Sequence, residues 1–362
     1  MSVTLNGSNG ITFNDGSSQT AAASPLGLKN RIINGAMVID QRNAGAATAN
    51  TINGYAVDRW AVYQSVTGKL IAQQNAAAVT PPTGFSYYLG VTSQSSYSVL
   101  TGDYYMIRQN IEGYNVADLG FGTANAKTVT LSFWVRSSLT GTFGGSLRNS
   151  AGDRSYPFTY TISVANTWEQ KTITIAGDTT GTWLTTNDIG LIVQFGLGTG
   201  ATFSGTAGAW AGANYVSATG ATSVVGTNGA TFYITGVQLE VGSTATPFER
   251  RLYNQELANC QRYFNLIDSA LGVNTGTTTL QLVVNFPVQM RAAPSVAGTT
   301  LRVTDMYVAD FTSSNPSPSM ANATTYGARI NTSNFTGMTT GRATALIGTG
   351  ASAAPLQLSA EL

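Results

Sequence analysis

Apolar and polar side chains alternate along most of this chain, and the alternation predicts its elements. Val129, Leu131, Phe133 and Val135 share one parity, while Thr130, Ser132, Trp134 and Arg136 share the other. Leu191, Val193, Phe195 and Leu197 repeat the period, as do Ile173 and Ile175 after Trp168. A period of two puts one residue set on each face of a strand, so these segments are strands with one buried face. Shorter strands are predicted at 60–63, 104–111 and 156–162, separated by turn signals such as Asn34-Gly35, Asn53-Gly54, Pro81-Pro82 and Asn228-Gly229. Many strands with no long amphipathic helix predict an all-β fold, with an antiparallel β-sandwich over residues 28–250. Jelly roll is one of several topologies that fit. The stretch 196–229 is rich in Gly, Ala, Thr and Ser around Trp210, shows neither period, and reads as long loops.

The sandwich closes where the parity flips. Phe232 and Ile234 hold one face before Gly236, and Val237, Leu239 and Val241 hold it afterwards. One inserted residue beside a glycine does this, which predicts a β-bulge. A helix start follows. Thr246, Pro247, Phe248 and Glu249 fit a capping box with proline at the first helical position. A start at Asn254, with 247–251 still extended, fits equally. Beyond either, Tyr253, Leu257, Cys260, Phe264 and Ile267 recur at spacings of four, three, four and three. That stripe predicts a short connecting helix over 251–268, about four turns long, packed between copies of the chain or on the sandwich. In residues 269–362, Leu280, Leu282, Val284 and Phe286 alternate before Pro287. Leu301 with Val303, Ala328 with Ile330, Ala345 with Ile347, and Leu356 with Leu358 extend the pattern into a smaller C-terminal, distal β-sandwich. The segment 312–325 reads as a polar loop.

Residues 1–27 are different. Up to the linker at 24–27, their bulky apolar side chains after Met1 are Val3, Leu5, Ile11 and Phe13. So little apolar surface does not offset the entropy of ordering the segment, and residues 1–24 are expected to anchor to another chain.

Three segments resemble tail-fibre proteins of tailed phages and prophages. VQLEVG at 237–242, ATPFERR at 245–251, then Glu256-Leu257 and CQRYF at 260–264 are similar to the hinge of that family. RIINGAMVIDQRNAG from Arg31, leading to YAVDRW at 55–60, resembles the start of its jelly-roll domain, and VQMRAAPSV at 288–296 the start of its distal domain. The resemblance implies a carbohydrate-binding-module-like jelly roll in an elongated homotrimer. It also implies a virion component that holds other tail or baseplate proteins through its N-terminus and meets host polysaccharide or a protein receptor through its distal part. A purely structural capsid fibre or baseplate spacer is the alternative, and a tailspike-like polysaccharide hydrolase a second.

Composition narrows these classes. The 362 residues suffice for two or three domains. Only 10% are charged, against about 25% in ordinary soluble domains. The net charge is +1 and the longest basic run is Arg250-Arg251, which argues against nucleic-acid partners. No apolar segment approaches the roughly 20 residues that span a bilayer, so no membrane insertion is expected. The first residues lack a secretory pattern and Cys260 has no second cysteine to pair with, which predicts assembly in a reducing cytoplasm; the tail-fibre resemblance implies that this is a host cell's and that the protein's place is the virion tail.

Histidine is absent, removing the commonest general base and the Ser-His and Cys-His nucleophile systems. Paired carboxylates remain, with Asp103 and Glu112, or Asp178 and Asp188, as candidates. Each reads better as a solvated loop residue, so no catalytic residue, metal site or cofactor is expected. For binding, aromatic rings that stack on sugar faces matter most. Trp134 with Arg136 on the outward parity forms one candidate platform. Tyr307, Asp310, Tyr326 and Arg329 form a distal candidate. Asp58-Arg59-Trp60 reads as an internal ion pair beside a core tryptophan.

Overall fold

Eleven strands between Gly54 and Val241 form two facing antiparallel sheets in this computed structural model. It describes residues 29–48, 54–305, 310–347 and 355–362, plus the backbone of three short paired strands, Thr4–Asn6, Gly10–Thr12 and Ser18–Gln19. The anchoring expected of residues 1–24 otherwise lies outside the described residues. The sandwich strands are β1 (Gly54–Val57), β2 (Trp60–Gln64), β3 (Leu70–Gln74), β4 (Leu89–Ser93), β5 (Tyr104–Glu112) and β6 (Val129–Ser137). They continue with β7 (Gly141–Arg148), β8 (Ser155–Ile162), β9 (Glu169–Ile175), β10 (Ile189–Thr199) and β11 (Thr231–Val241). The six-stranded sheet has the order β8-β7-β10-β5-β2-β1, and the five-stranded sheet β9-β6-β11-β4-β3. The fold is a jelly-roll sandwich. Its core follows the alternation: Val129, Leu131, Phe133 and Val135 from one sheet meet Val193, Phe195 and Leu197 from the other, all fully buried. Phe133 and Phe195 touch edge to face at 4.9 Å between centroids.

The bulge falls at Gly236. Thr235 pairs with Trp134 and Gln238 with Ser132, so that Gly236 and Val237 of β11 stand against the single residue Phe133 of β6. Gly236 has φ +61°, the left-handed conformation a glycine adopts without strain. Phe232, Ile234, Val237 and Leu239 are thereby all fully buried, while Val241 at the strand end is 41% exposed.

The helix corrects two expectations. It spans Tyr253–Gln261, nine residues or about two and a half turns, and begins at the later of the two starts. Thr246 caps no helix. Its N–H and hydroxyl donate to the Glu240 carboxylate at 2.8 and 2.6 Å, while the Glu249 N–H donates to Gln238 Oε1 at 2.7 Å. Glu240 is 2% exposed, and a carboxylate buried on a sheet recruits nearby donors in preference to a solvent-facing turn. The apolar stripe also divides. Leu257 and Cys260 seat against Ile33 and Ile39, Tyr253 is 59% exposed, and Phe264–Ile267 is a strand paired with Leu356–Ser359. Aromatic and branched residues with a partner strand at hand override the helical period there.

Beyond it, a seven-stranded sheet runs from Asp310–Ser313 at one edge through Leu301–Thr304, Ala343–Ile347, Ser269–Asn274, Leu280–Asn285 and Gly327–Thr332 to Ser319–Ala321. A three-stranded sheet of Phe264–Ile267, Leu356–Ser359 and Ser295–Ala297 accompanies it. The expected 312–325 loop therefore supplies strand residues at both edges of the larger sheet. In Ala343–Ile347 the buried parity is Thr344 and Leu346, with Ala345 and Ile347 half-buried on the other face. Leu346 fills more core than Ala345, and Thr344 satisfies its hydroxyl by donating to the Thr304 carbonyl at 2.9 Å.

The segments that begin at Asn30 and at Val237 are tied to each other within this architecture. The Glu249 carboxylate accepts the Asn30 N–H at 2.6 Å, Asn30 Nδ2 donates to the Val237 carbonyl, and the Trp60 indole N–H donates to the Asn34 carbonyl. Between the two units, buried Glu112 accepts both faces of the Arg262 fork at 2.8 and 2.6 Å and the Tyr263 hydroxyl at 2.6 Å. Arg59, 2% exposed, pairs with Glu361 and lies 3.6 Å above the Tyr263 ring. Asp58 instead pairs with Arg42 at 3.7 Å and accepts from Gln41. Asp58 and Arg59 are thus internal, as expected, but each has a different partner. They form the turn between β1 and β2, where Arg59 takes φ +71° and its side chain leaves in another direction from that of Asp58.

Candidate functional site

On β5, Tyr105, Ile107 and Ile111 point into the core, which leaves Tyr104, Met106, Arg108 and Asn110 on the outer face. Tyr63 of β2 lies opposite Met106, and Arg148 ends β7 opposite Ile192 of β10. The loop after β10 returns over this face. The Ser146 hydroxyl donates to the Tyr215 carbonyl at 2.8 Å, and the Val216 N–H to the Phe203 carbonyl at 2.8 Å. Two glycines allow so close an approach: a Cβ on Gly144 would stand 2.3 Å from Ser217 Oγ, and one on Gly196 2.7 Å from the same side chain. The loop stops short of covering the sheet. It leaves a groove of 320 Å³ walled by Tyr63, Tyr104 and Phe203, floored by Met106 and Val216, with Arg108, Arg148 and Asn214 reaching in. Tyr104 and Phe203 meet edge to face at 5.2 Å.

The electrostatics are one-sided. Arg108 Nε donates to Asn110 Oδ1 at 2.7 Å, and its guanidinium lies 4.7 Å from the Tyr63 ring centre. Arg148 donates to Asn214 Oδ1 through Nη1, while its Nε is buried with no partner. Among the described residues, neither arginine has a carboxylate within ion-pairing distance. Burial, and then the like charge of Arg108, bring the Arg148 guanidinium down to about 10. Gln194 stands between Ser146 and Arg108 in the sheet register. Its Nε2 donates to the Ser146 hydroxyl at 3.0 Å, but its buried Oε1 receives nothing. Such an arrangement is chemically suited to a ligand with ring faces for the aromatics and oxygens for two guanidiniums.

The residues expected to bind lie elsewhere. Trp134 and Arg136 are on the outer face of the five-stranded sheet, and that face is covered. Tyr88 packs at 5.2 Å on Tyr233 and 5.5 Å on Trp168, and Phe85 packs at 5.2 Å on Phe248. Arg136 donates to the Asn166 carbonyl at 3.0 Å and sits 5.4 Å from the Tyr233 ring centre. Trp134 is half-buried beside Gly236. In the distal unit, Asp310 on an edge strand pairs with Arg302 on the next, while Tyr326 and Arg329 are exposed at the far side of the sheet, with four strands between those of Asp310 and Arg329. They do not converge. Tyr307 lies outside the described residues. The expected helix seam has divided, as described above.

Asp103 and Glu112 flank β5, a nine-residue strand roughly 30 Å long, beyond the roughly 5–9.5 Å of a glycosidase carboxylate pair. Asp178 is held by both donors of Arg154, at 2.7 and 2.8 Å, and Asp188 is exposed. Among the described residues no cluster of acidic, cysteine or histidine side chains is arranged to hold a metal. None of their helices is long and apolar enough to cross a membrane.

Sequence reasoning missed Tyr63, Arg108, Arg148 and Phe203. Arg108 was within reach, since it shares the outward parity of Tyr104 and Met106. Nothing local in the glycine-rich β7 or the loop after β10 singles out Arg148 or Phe203.

A jelly-roll sandwich with an arginine-lined groove on one outer face is thus the class of protein defined. No protein-family model and no curated protein matches the chain. Among solved structures, it is similar to the enzymatically active domain of tailspike protein 4 from bacteriophage CBA120, at 15% identity over 59% of this chain and 21% of that one, with a TM-score of 0.32. It is also similar to the family 11 carbohydrate-binding module from Clostridium thermocellum in complex with a β-1,3-1,4-mixed-linked tetrasaccharide, at 13% identity over 54% of this chain and 96% of that one, with a TM-score of 0.28. These similarities assign no residue of this chain a role.

Proposed function

We propose that this chain is a non-enzymatic, glycan-binding virion protein of the tail-fibre type, which recognises host surface polysaccharide through the jelly-roll groove. The observation that carries the reading is the groove itself: three aromatic walls and two arginines without carboxylate partners, on a sheet face left open. The tail-fibre-like segments support the phage setting, with residues 1–24 as the attachment to other tail or baseplate proteins. An elongated homotrimer is part of the proposal. It is supported by the outer face of the distal sheet, where Leu271 and Val283 pair across neighbouring strands at 64% and 57% exposure. Apolar residues so paired and so exposed are covered favourably by another copy.

Binding of the full chain to an array of bacterial surface glycans tests the reading. Phe203→Ala should weaken binding roughly tenfold, the loss of one aromatic anchor being worth about 1–1.5 kcal/mol. Failure to bind any surface glycan, in a chain that still folds, would leave the structural-spacer reading. Light scattering that finds a stable monomer would remove the trimer.

A further inference from the structure

From the unpaired guanidiniums, resting on the glycan-binding reading above, we infer that the groove takes an acidic saccharide, one carrying a carboxylate or a phosphate. Arg148 and Arg108 stand on strands separated by β10, offset by two residues in register, and they reach into one cavity. That places the guanidiniums on either side of a single sugar-sized space. Several other buried or half-buried arginines find an acid: Arg59 has Glu361, Arg42 has Asp58 and Glu361, Arg154 has Asp178, and Arg251 has Glu256, while Arg136 on the covered face is met by the Asn166 carbonyl and the Tyr233 ring. The groove brings two arginines without an acid into one open cavity. A neutral sugar needs no such pair, because hydroxyls are served by amides and carbonyls as well as by cations. An oxyanion is what a planar guanidinium fork matches with two parallel hydrogen bonds.

The polar atoms left over agree. Arg148 Nε is a buried donor without an acceptor, suited to an oxyanion oxygen, and Gln194 Oε1 is a buried acceptor without a donor, in the sheet beside the groove but outside its lining. Both lie on the outer face of the six-stranded sheet. Arg108 is held in place as well. Asn110 Oδ1 accepts its Nε, and Asn110 Nδ2 donates to the Leu362 carbonyl at 2.7 Å, so the distal unit braces one side of the groove. A braced cation loses less freedom on binding than one on a mobile side chain.

The test is the full chain on an array carrying uronic-acid, nonulosonic-acid, phosphate-substituted and neutral glycans. Trigalacturonate and its methyl ester serve as a matched charged and uncharged pair in solution. Binding should concentrate on the charged members, and the class bound separates carboxylate from phosphate as the anion. Affinity should fall with added salt and favour trigalacturonate or a phosphate-substituted glycan over its uncharged counterpart. Arg148→Gln should cut affinity for the charged probe ~10- to 100-fold, as expected for losing a charged hydrogen-bonding partner. Arg148→Lys should recover part of it, and Arg136→Gln on the covered face should change nothing. If Arg148→Gln melts early, Arg108→Gln and the salt dependence decide instead. Equal affinity for charged and uncharged counterparts, untouched by either Arg→Gln change, would overturn the inference while leaving glycan binding intact. Binding to no glycan at all would end both.

Discussion

The two outer faces of the jelly roll start from similar material and end differently. Each offers aromatic rings beside arginines: Trp134, Arg136 and Tyr233 on the five-stranded sheet, Tyr63, Tyr104, Arg108 and Arg148 on the six-stranded sheet. Over the first, the segment containing Phe85 and Tyr88 folds down, Phe248 and Trp168 join it, and Arg250 stacks 4.7 Å from the Phe85 ring centre. Over the second, the loop from Phe203 to Ser217 lands on two glycines and stops, leaving two guanidiniums without acids. An aromatic–arginine pair is therefore structure or site according to what returns over it. Side-chain type alone does not decide.

The covered face should be the stability-sensitive one, and the largest effect is expected at its bulge. A Cβ on Gly236 would stand 2.7 Å from Phe85 and 3.1 Å from Trp134, at a φ that branched side chains avoid. Gly236→Val should cost about 2–4 kcal/mol in a denaturant titration, from left-handed strain plus overpacking. A cost under about 0.5 kcal/mol, the range of an ordinary surface change, would mean that face is open after all.

Next comes Asp58, at the junction that braces the groove side. Burial raises its carboxyl from 3.8 to about 6, against the opposing pull of Arg42 and Gln41. The native state then holds the proton more tightly than the unfolded chain, so this group's contribution is full below pH ~4 and is lost as pH rises through ~6, a swing of about 3 kcal/mol. Glu112 has the opposite sign. Burial raises its carboxyl, but hydrogen bonds from Arg262 and Tyr263 outweigh that and hold it below its ordinary value, so its contribution is lost on acidification. Asp58→Asn should remove the loss of stability between pH 4 and 6 and expose the Glu112 trend. An unchanged pH profile would contradict the burial of Asp58.

A smaller effect is expected at Trp168, whose indole packs on Tyr88 and donates to the Thr80 carbonyl at 2.9 Å. Trp168→Ala should lower stability by about 2 kcal/mol, from one aromatic pair and one hydrogen bond, without altering glycan affinity. The smallest change should come from the open face. Arg148→Gln removes a half-buried charge that no acid neutralises together with one hydrogen bond to Asn214, and the relief of the first offsets the loss of the second, so melting should move stability by less than about 1 kcal/mol. A large loss would mean that Arg148 is structural and would erase the contrast between the faces.

The alternation of Val129 to Val135 and Leu191 to Leu197, the flip at Gly236 and the run from Leu280 to Val284 were legible because each depends on neighbours within one strand. Period two and a glycine at positive φ need no partner to be read. The helix was half legible: Leu257 and Cys260 are where a helical stripe puts them, but Phe264 and Ile267 obey a partner strand 90 residues along the chain. Local period cannot register that pairing. Thr246 and Glu249 spell a capping box, yet their groups are claimed by Glu240, Gln238 and Asn30, one of them more than 200 residues away. The groove was the least legible part, since its walls come from β2, β5, β7 and a loop without any period.

Taken by itself, then, the sequence determined which residues face a core and that the chain builds sheets. Those facts follow from backbone geometry and the burial of apolar area, both of which act residue by residue. Only the tertiary structure decided which outer face stays open, which acids find which arginines, and where the helix begins and ends. Each of those is settled by a competition among groups distant in sequence for the same donor, the same acceptor or the same patch of sheet.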